Sequence, residues 1–395
     1  MKDLLYLVHR IPYPPNKGDK IRSFHFLQHL VKHYNVHLGT FIDDDNDWQY
    51  RDKVDALCAS TYYQKLNPLS AKMASARGLL TGEPLSLPYY RNQAMQHWVD
   101  KTVKKHAIKN ALVFSSVMGQ FIKPGHAVES VVDFVDVDSD KWRQYAEKKH
   151  GIARWIYQRE AKYLLNYEQQ LAAIAKTSTF VSEQEAALFK KLAPEVSAKV
   201  TNINNGVDVA YFSPGQAFAS PYPPSDSQVL VFTGAMDYWA NVDAVKWFAE
   251  QVLPQVVKHL PKAKFYIVGS KPTKNVLALA SDNVTVTGAV PDVRPYLAHA
   301  QLAVAPLRIA RGIQNKVLEA MSMAKYVVAT PAAMEGIPAD ASLSITVSDD
   351  ATEMATHIIR LLGNPEGSVS QSNRNFVKSL FSWEHSQGQL AELIG

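Results

Sequence analysis

The chain has 395 residues, a length at which one hydrophobic core usually gives way to two, so we expect two domains of similar size. Hydrophobic residues make up 47% and charged residues 20%, as in folded globular proteins, which argues against a function carried by disorder. The net charge of +5 is modest for this length and favours anionic ligands or a membrane surface over wholesale nucleic-acid binding. The sequence contains no recognisable nucleic-acid-binding motif.

Short apolar runs predict a series of β-strands along the chain. In the first half they lie at 4–10, 36–41, 112–117 and 131–137, and in the second half at 229–234, 264–269, 284–288, 302–307 and 326–330. Runs that are apolar along their whole length are typical of parallel sheets covered on both faces. Because these runs alternate with helical patterns, the sequence predicts the α/β class, with two doubly wound domains.

A stretch rich in Pro, Ser and Gly at 204–228 marks the expected domain boundary. We therefore predict a Rossmann-like N-terminal domain over 1–205, a second such domain over 206–373, and a C-terminal helix over 374–395 that packs back on the first domain. Sheets of this kind bind ligands at the carboxyl ends of their strands.

Cysteine and histidine usage narrows the cellular setting and the cofactors. Cys58 is the only cysteine, which excludes a disulfide framework and points to the cytoplasm. The thirteen histidines show no metal-ligand spacing, so we expect no metal and no cofactor. No apolar run is long enough for a signal-peptide core or a membrane span.

The segment "ARGIQNKVLEAMSMAKYVVATPAAMEGI", 310–337, predicts an anion-binding loop that leads into a helix. Lys316 and Glu319 share one face of that helix. A solvated ion pair is the simpler interpretation of this spacing. The position at a helix N-terminus beside Arg308 and Arg311 favours a ligand site, where Lys holds a diphosphate and Glu accepts the ribose hydroxyls.

Several motifs resemble those of one large family, the retaining GT-B glycosyltransferases that share an E-x7-E-like motif (family four type). They are "PLRIARGIQNKVLEAMSMAKYVVATPAAMEGI", "NINNGVDVAYFSP" and "VFTGAMDYWANVDAVKWF", in the expected order. "VHRIPYPPNKGDKIRSFHFLQHL" and "VVDFVDVDSDKW" are similar to the exopolysaccharide sugar transferases of exosortase (PEP-CTERM) gene clusters. The resemblance implies two Rossmann-like domains facing a central cleft, a UDP- or GDP-linked sugar donor, and a lipid-linked or growing glycan acceptor.

The resemblance also implies roles for individual residues. It places the donor beside seven positions besides Lys316: Gly18, Gly234, Arg308, Arg311, Gly312, Asn315 and Glu319. Two departures change the charge of the site: Arg311 stands in place of the first Glu of the motif, and Ala235 and Ala240 stand where many relatives carry Arg and Lys. The phosphate charge must then be met by Arg308, Arg311 and Lys316.

Three features of the first half have competing interpretations. Gly18 either forms an ordinary turn or approaches the ligand closely. Asp136 and Asp138 follow a strand, where they either act on an acceptor hydroxyl or cap a helix. Under the first interpretation the candidate catalytic residues are Asp136, Asp138, Lys316 and Glu319. Arg22 is expected to be a surface residue.

The segment 141–165 interleaves basic residues with Trp142, Trp155, Ile156 and Tyr163, as expected at an anionic membrane surface. An ordinary exposed helical pair explains the same pattern. Three alternative functions also stay open: a sugar-nucleotide 2-epimerase, a catalytically silent nucleotide-binding scaffold, and a nicotinamide-dependent oxidoreductase. The sequence disfavours the last because no G-x-G-x-x-G follows the first strand of either half.

Overall fold

The computed structural model describes residues 1–147, 149–310, 312–338, 340–363 and 369–395. These residues form two compact units, one of Met1–Asn205 with Ser386–Gly395 and one of Gly206–His385. Each unit is a parallel sheet with helices, so the predicted α/β class with two doubly wound domains is confirmed. Within the described residues no helix is both long and apolar enough to span a bilayer.

The first unit contains a seven-stranded parallel sheet with the order β3-β2-β1-β4-β5-β6-β7 in the described residues. The strands are β1 Lys2–Val8, β2 Tyr34–Ile42, β3 Ser60–Lys65, β4 Asn110–Phe114, β5 Glu129–Val135, β6 Thr177–Phe180 and β7 Val200–Asn202. The helices are α1 Gly18–His33, α2 Arg51–Asp55, α3 Pro68–Thr81, α4 Ser86–Tyr90, α5 Gln93–Lys105, α6 Asp138–Glu147, α7 Gly151–Ile174 and α8 Glu183–Leu192. β1 is central and its residues 4–8 are fully buried, as its apolar run predicts.

The second unit contains a six-stranded parallel sheet with the order β10-β9-β8-β11-β12-β13 in the described residues. Its strands are β8 Gln228–Thr233, β9 Ala263–Val268, β10 Val284–Gly288, β11 Leu302–Ala305, β12 Tyr326–Ala329 and β13 Ile345–Val347. Its helices are α9 Trp239–Trp247, α10 Leu253–His259, α11 Lys274–Leu277, α12 Arg294–His299, α13 Asn315–Ser322, α14 Ala351–Gly363 and α15 Gln371–Leu380, and α16 Trp383–Ile394 runs from this unit into the first.

In both sheets the direction of winding reverses next to the strand that comes first in the sequence of that unit. In the first unit the reversal lies between β1 and β4, and in the second between β8 and β11. Loops that leave the carboxyl ends of such a strand pair diverge to opposite faces of the sheet, and the crevice between them is where doubly wound sheets bind ligands.

Local sequence signals fix several helix ends. The Asn67 side chain accepts hydrogen bonds from the backbone N–H groups of Leu69 and Ser70, and Pro68 occupies the first turn of α3. The same helix ends at Gly82, whose φ of 72° suits glycine. These caps satisfy backbone groups that the helix itself leaves unpaired.

The segment predicted as one helix over 374–395 forms two helices instead, α15 and α16. The chain changes direction at Phe381, whose carbonyl accepts a hydrogen bond from the Val207 N–H at 2.6 Å. Residues 374–385 belong to the second unit, and only Ser386–Gly395 belong to the first.

The expected surface position of Arg22 is wrong, because its side chain is only 1% exposed. Its guanidinium donates to both carboxylate oxygens of Asp133, at 2.7 and 3.2 Å, and to Asn205 Oδ1 at 3.1 Å. A buried guanidinium is tolerated only with such partners. Arg22 therefore links α1 to β5 inside the first unit.

Candidate functional site

A pocket of about 490 Å³ opens at the carboxyl ends of β8, β9 and β10 in the second unit. Loops after these strands meet the start of α13, so the pocket lies at the reversal point of the sheet. Its lining consists of Thr233, Gly234, Ala235, Asn241, Val268, Gly269, Ser270, Ala289, Val290, Val293, Asn315, Lys316 and Glu319.

Two glycines let the loops of this pocket approach each other closely. A Cβ on Gly269 would lie 1.7 Å from the carbonyl oxygen of Gly234, which no real side chain permits. A Cβ on Gly234 would lie 2.8 Å from Asn241 Nδ2 and 3.4 Å from Lys316 Nζ. Glycine at these positions therefore brings backbone next to the Lys316 ammonium group.

Lys316 lines the pocket, and no carboxylate of the described residues pairs directly with it. Its Nζ donates a hydrogen bond to Asn241 Oδ1 and lies 4.5 Å from the centre of the Phe232 ring. The Asn241 amide in turn donates to the Ala235 carbonyl at 2.8 Å. In the described part of the chain no salt bridge within 4 Å joins Lys316 to Glu319. The alternative interpretation of this spacing, a solvated surface ion pair, therefore does not hold.

The electrostatics of Lys316 and Glu319 are set by burial. Burial lowers the pKa of Lys316 to about 8, and the Glu319 charge opposes this shift. Burial raises the pKa of Glu319 to about 7, and the Lys316 charge again opposes it. Burial thus disfavours the charged form of each group, and the opposite charge of the other group offsets part of this cost; an anion beside Lys316 would offset more of it.

The other predicted donor-site residues take different positions. Asn315 lines the pocket at the first residue of α13, and Gly312 adopts a left-handed φ of 64° three residues earlier. Arg308 does not line the pocket and forms an exposed bidentate ion pair with Asp243. Arg311 lies outside the described residues.

Sequence reasoning missed three polar side chains that line this site: Thr233, Asn241 and Ser270. Asn241 is 5% exposed on α9, where it holds the Lys316 ammonium and the Ala235 loop together. A polar amide in the apolar stretch "WANVDAV" was the available signal. Ser270 follows the Gly that ends "KFYIVG", on the edge where the prediction placed ligands.

The first unit has a smaller pocket of about 270 Å³ at the equivalent reversal point, between the loops after β1 and β4. Its lining consists of His9, Ser86, Tyr90, Ser115, Ser116, Val117, Asp138, Trp142 and Leu164. Two aromatic rings and several hydroxyl, imidazole and carboxylate groups suit a small polar ligand with apolar faces.

Three buried polar atoms of this pocket have no hydrogen-bond partner among the described residues: His9 Nδ1, Ser86 Oγ and Ser116 Oγ. The His9 ring is stacked on Phe114 at 5.9 Å, and its Nε2 lies 3.5 Å from Asp19 Oδ2. Because an unpaired buried polar group is costly, these atoms are prepared for the hydroxyl groups of a ligand. His9 was missed from the sequence, although it directly follows the apolar run of β1.

The two predicted catalytic aspartates share one cation. Lys141 Nζ donates to Asp136 Oδ2 at 2.6 Å and to Asp138 Oδ1 at 3.2 Å. Asp138 lines the first-unit pocket and Asp136 does not. Burial raises the pKa of Asp138, and the Lys141 charge opposes the shift. The Asp138 carboxylate therefore accepts from an ammonium group, whereas the capping alternative requires a backbone N–H.

Two residues at strand ends of the first unit have an unusual backbone conformation, and one of them, Ser115, lines this pocket. Ser115, which follows β4, has a φ of 76°, and Val135, which ends β5, has a φ of 69°. A β-branched residue in this region is strained, and such strain often accompanies functional loops. By contrast, a Cβ on Gly18 would meet no atom within 4 Å, so packing does not require glycine at the start of α1.

Comparison with known proteins identifies the second unit. No curated protein shows significant similarity to the chain. Residues 227–364 match the family model described as "Glycosyl transferases group 1". The matched segment begins one residue before β8 and includes every residue that lines the larger pocket.

Solved structures resemble the whole chain at low sequence identity. Sucrose-phosphate synthase from Thermosynechococcus elongatus aligns over 100% of this chain and 98% of its own, with a TM-score of 0.65 and 17% identity. HepE from Anabaena, in complex with UDP, aligns over 99% of both chains with a TM-score of 0.62 and 15% identity. WaaG, a glycosyltransferase involved in lipopolysaccharide biosynthesis, aligns over 99% of both chains with a TM-score of 0.57 and 15% identity. Residues 227–364 are therefore similar to the glycosyl transferases group 1 family, and the two Rossmann-like units of the chain have the GT-B fold.

Proposed function

We propose that this protein is a retaining glycosyltransferase that moves a hexosyl group from a UDP- or GDP-linked donor to a lipid-linked or growing glycan acceptor in exopolysaccharide biosynthesis. One observation carries the proposal: the pocket of the family-matched unit presents an ammonium group, Lys316, beside the glycine loop at Gly234 and the N-terminus of α13. This combination suits the diphosphate of a nucleotide sugar.

The donor diphosphate lies beside Lys316 and the backbone of the Gly234 loop, and Glu319 accepts hydrogen bonds from the two ribose hydroxyls. During transfer the bond between the anomeric carbon and the β-phosphate oxygen breaks, and negative charge develops on that oxygen. The Lys316 ammonium and the first N–H groups of α13 stabilise this charge, since both are held in place before the reaction. These groups supply the electrostatic stabilisation without a metal ion.

The acceptor binds in the pocket of the first unit. There the unpaired His9 Nδ1 and Ser116 Oγ form hydrogen bonds with sugar hydroxyls, and the Trp142 and Tyr90 rings contact apolar faces of the sugar. Asp138 is the candidate that orients the reacting hydroxyl or accepts its proton, because its carboxylate reaches this pocket.

The protein is further proposed to act on the inner face of the cytoplasmic membrane through the segment 141–165. Ile152 is 79% exposed and Trp155 is 57% exposed, with the exposed Lys149 and Arg154 close in sequence. Trp142 and Tyr163 of the same segment are partly buried, and Lys148 lies outside the described residues. The candidate membrane surface is therefore the start of α7 and not the whole segment.

A screen of nucleotide sugars for thermal stabilisation tests the donor assignment. UDP-glucose comes first because solved HepE complexes contain UDP and UDP-glucose. A ligand at 100 times its dissociation constant adds about 2.7 kcal/mol to the free energy of unfolding. The stabilising donor is then incubated with and without a glycan acceptor.

The products of that incubation distinguish the proposal from its alternatives. Acceptor-dependent transfer supports the glycosyltransferase. Conversion of the donor without acceptor supports a sugar-nucleotide 2-epimerase, and tight binding without turnover supports a silent scaffold. Absence of stabilisation by every nucleotide sugar would overturn the donor assignment.

A further inference from the structure

Three side chains with metal-ligating atoms meet at the amino-terminal edge of the first sheet. They are Asp3 on β1, His37 on β2 and His106 just after α5. One ligand atom from each lies within 4.8 Å of the other two. No sequence motif connects these positions, so only the folded chain reveals the cluster.

The distances within the cluster match those of an open metal site. Asp3 Oδ1 lies 2.9 Å from His37 Nε2 and 3.8 Å from His106 Nδ1. Zinc ligands at their usual distances are about 3.3 Å apart in a tetrahedral site, a value between the two observed separations. The 3.8 Å separation is too long for a hydrogen bond, and the His106 ring packs against the His37 ring with ring centres 4.2 Å apart.

A neighbouring hydroxyl orients the buried imidazole. His37 is 2% exposed, and its Nδ1 lies 2.7 Å from Ser60 Oγ on the adjacent strand β3. Without a metal, Nε2–H donates to Asp3 Oδ1 at 2.9 Å and Nδ1 accepts from the Ser60 hydroxyl. Metal binding would release the Nε2 proton to solvent and switch the tautomer, so that Nδ1–H donates to Ser60 and the Nε2 lone pair faces the metal. Metal-ligating histidines usually have such a second partner on their other nitrogen.

We propose that Asp3, His37 and His106 bind a zinc ion, with water as the fourth ligand. The Asp3 and His106 side chains are each 30% exposed, which leaves a path for the ion and room for that water. Two imidazoles and one carboxylate, with no thiolate, are typical of zinc sites with an open position.

Sites with a water ligand are usually catalytic, but this one lies far from the first-unit pocket, so we assign the ion a stabilising role. Along β1, the seven residues from Asp3 to His9 span about 20 Å, so the ion lies at the opposite end of the sheet from the first-unit pocket. Its ligands come from β1, β2 and the end of α5. Zinc binding therefore cross-links these three elements and stabilises the folded first unit.

Zinc chloride titration of the untagged, EDTA-treated and desalted full-length chain tests the proposal. In competition with a chromophoric chelator, the wild type should bind one equivalent and gain melting temperature. His106→Ala and Asp3→Asn should lose both effects, and Ser60→Ala should bind roughly ten- to a hundredfold more weakly. His106 and Asp3 are partly exposed, so these variants should keep the circular dichroism spectrum of the wild type.

Two matched controls separate this cluster from other histidines. His126→Ala removes a His–Asp pair with a 2.8 Å contact to Asp100, and His33→Ala removes the histidine pair on α1 whose ring centres are 4.7 Å apart. Both controls keep the cluster and should bind zinc like the wild type. The proposal is overturned if the wild type binds no zinc, or if His106→Ala and Asp3→Asn bind it as tightly as the wild type.

Discussion

The Lys316 ammonium group donates to the Asn241 side-chain oxygen, and no carboxylate contacts it within the described residues. Asn241 in turn donates to the Ala235 carbonyl, so one buried amide positions both the cation and the adjacent loop. A lysine held this way keeps two of its three N–H donors available for an anion.

Lys316→Ala should weaken donor binding by roughly ten- to a hundredfold, because hydrogen bonds to charged groups contribute about 1.5–3 kcal/mol. Isothermal titration calorimetry with the stabilising nucleotide sugar measures the effect. Lys246→Ala is the matched control, since Lys246 is exposed and lies 3.9 Å from Glu250. Equal affinities for wild type and Lys316→Ala would mean that the diphosphate binds elsewhere.

Donor affinity should follow a bell-shaped pH profile with its maximum between the two pKa values. Below about 7 Glu319 gains a proton and loses the charge that makes it a good acceptor for ribose hydroxyls. Above about 8 Lys316 loses its proton and its attraction for phosphate. Because the two groups interact, the measured values belong to the pair.

Glu319→Gln should impair binding of the nucleotide sugar and of the free nucleotide alike, because both contain the ribose. It should also remove the acidic limb of the profile and move the basic limb to lower pH, because the Glu319 charge raises the pKa of Lys316. Affinities measured from pH 6 to 9 for the wild type and Glu319→Gln check this. A wild-type profile that is flat over this range contradicts the assigned roles.

His9→Ala should reduce kcat/KM for the acceptor by roughly ten- to a hundredfold through the loss of a buried hydrogen-bonding group, while donor affinity stays unchanged. Asp138→Asn should act in the same direction, and Asp136→Asn should act less because Asp136 does not line the pocket. Initial rates over a matrix of both substrates separate the two effects, with His126→Ala as the control. A loss of donor affinity in His9→Ala would contradict an acceptor role.

Transfer should survive EDTA, because Lys316 and the α13 N-terminus supply the charge that stabilises the leaving diphosphate. Product formation with and without chelator, at a temperature well below the melting point, measures this. The low temperature keeps any stabilising effect of zinc out of the result. Complete loss of transfer, restored by magnesium or manganese, would overturn the proposed mechanism.

Anionic liposomes should bind the protein at low ionic strength and release it as salt screens the surface charges. Trp155→Ala and the pair Lys149→Gln with Arg154→Gln should each weaken co-sedimentation. Trp239→Ala is a matched control, because Trp239 is also 57% exposed but lies on α9 of the second unit. If Trp155→Ala and the Lys149→Gln, Arg154→Gln double variant both bind liposomes like the wild type, the start of α7 is not a membrane-binding surface.

Continuity along the chain decides which features the sequence could predict. The buried strands β1 and β8 and the helix carrying Lys316 and Glu319 have their signal in one uninterrupted stretch, so composition and spacing predict them. The strand β3, "STYYQK", was missed because it is a partly buried edge strand without an apolar run.

Contacts between distant residues explain what was missed or wrong. The helical pattern around Arg22 predicts a surface position, because an arginine on a helix is usually exposed. Its burial depends on Asp133, which is 111 residues away in the sequence. The pairing of Asn241 with Lys316 likewise joins residues 75 apart. The fold brings such partners together, and a single sequence does not reveal which distant residues will be in contact.

The Arg22–Asp133 pair also bears on how the chain folds during synthesis. Arg22 leaves the ribosome well before Asp133, and a guanidinium does not become buried without its counter-charge. Until β5 has emerged, α1 therefore lacks the partner that holds it on the sheet, and β1 lacks its neighbour β4 as well. The first unit therefore cannot complete its core until about a third of the chain has been made, and up to that point the apolar β1 is exposed to aggregation.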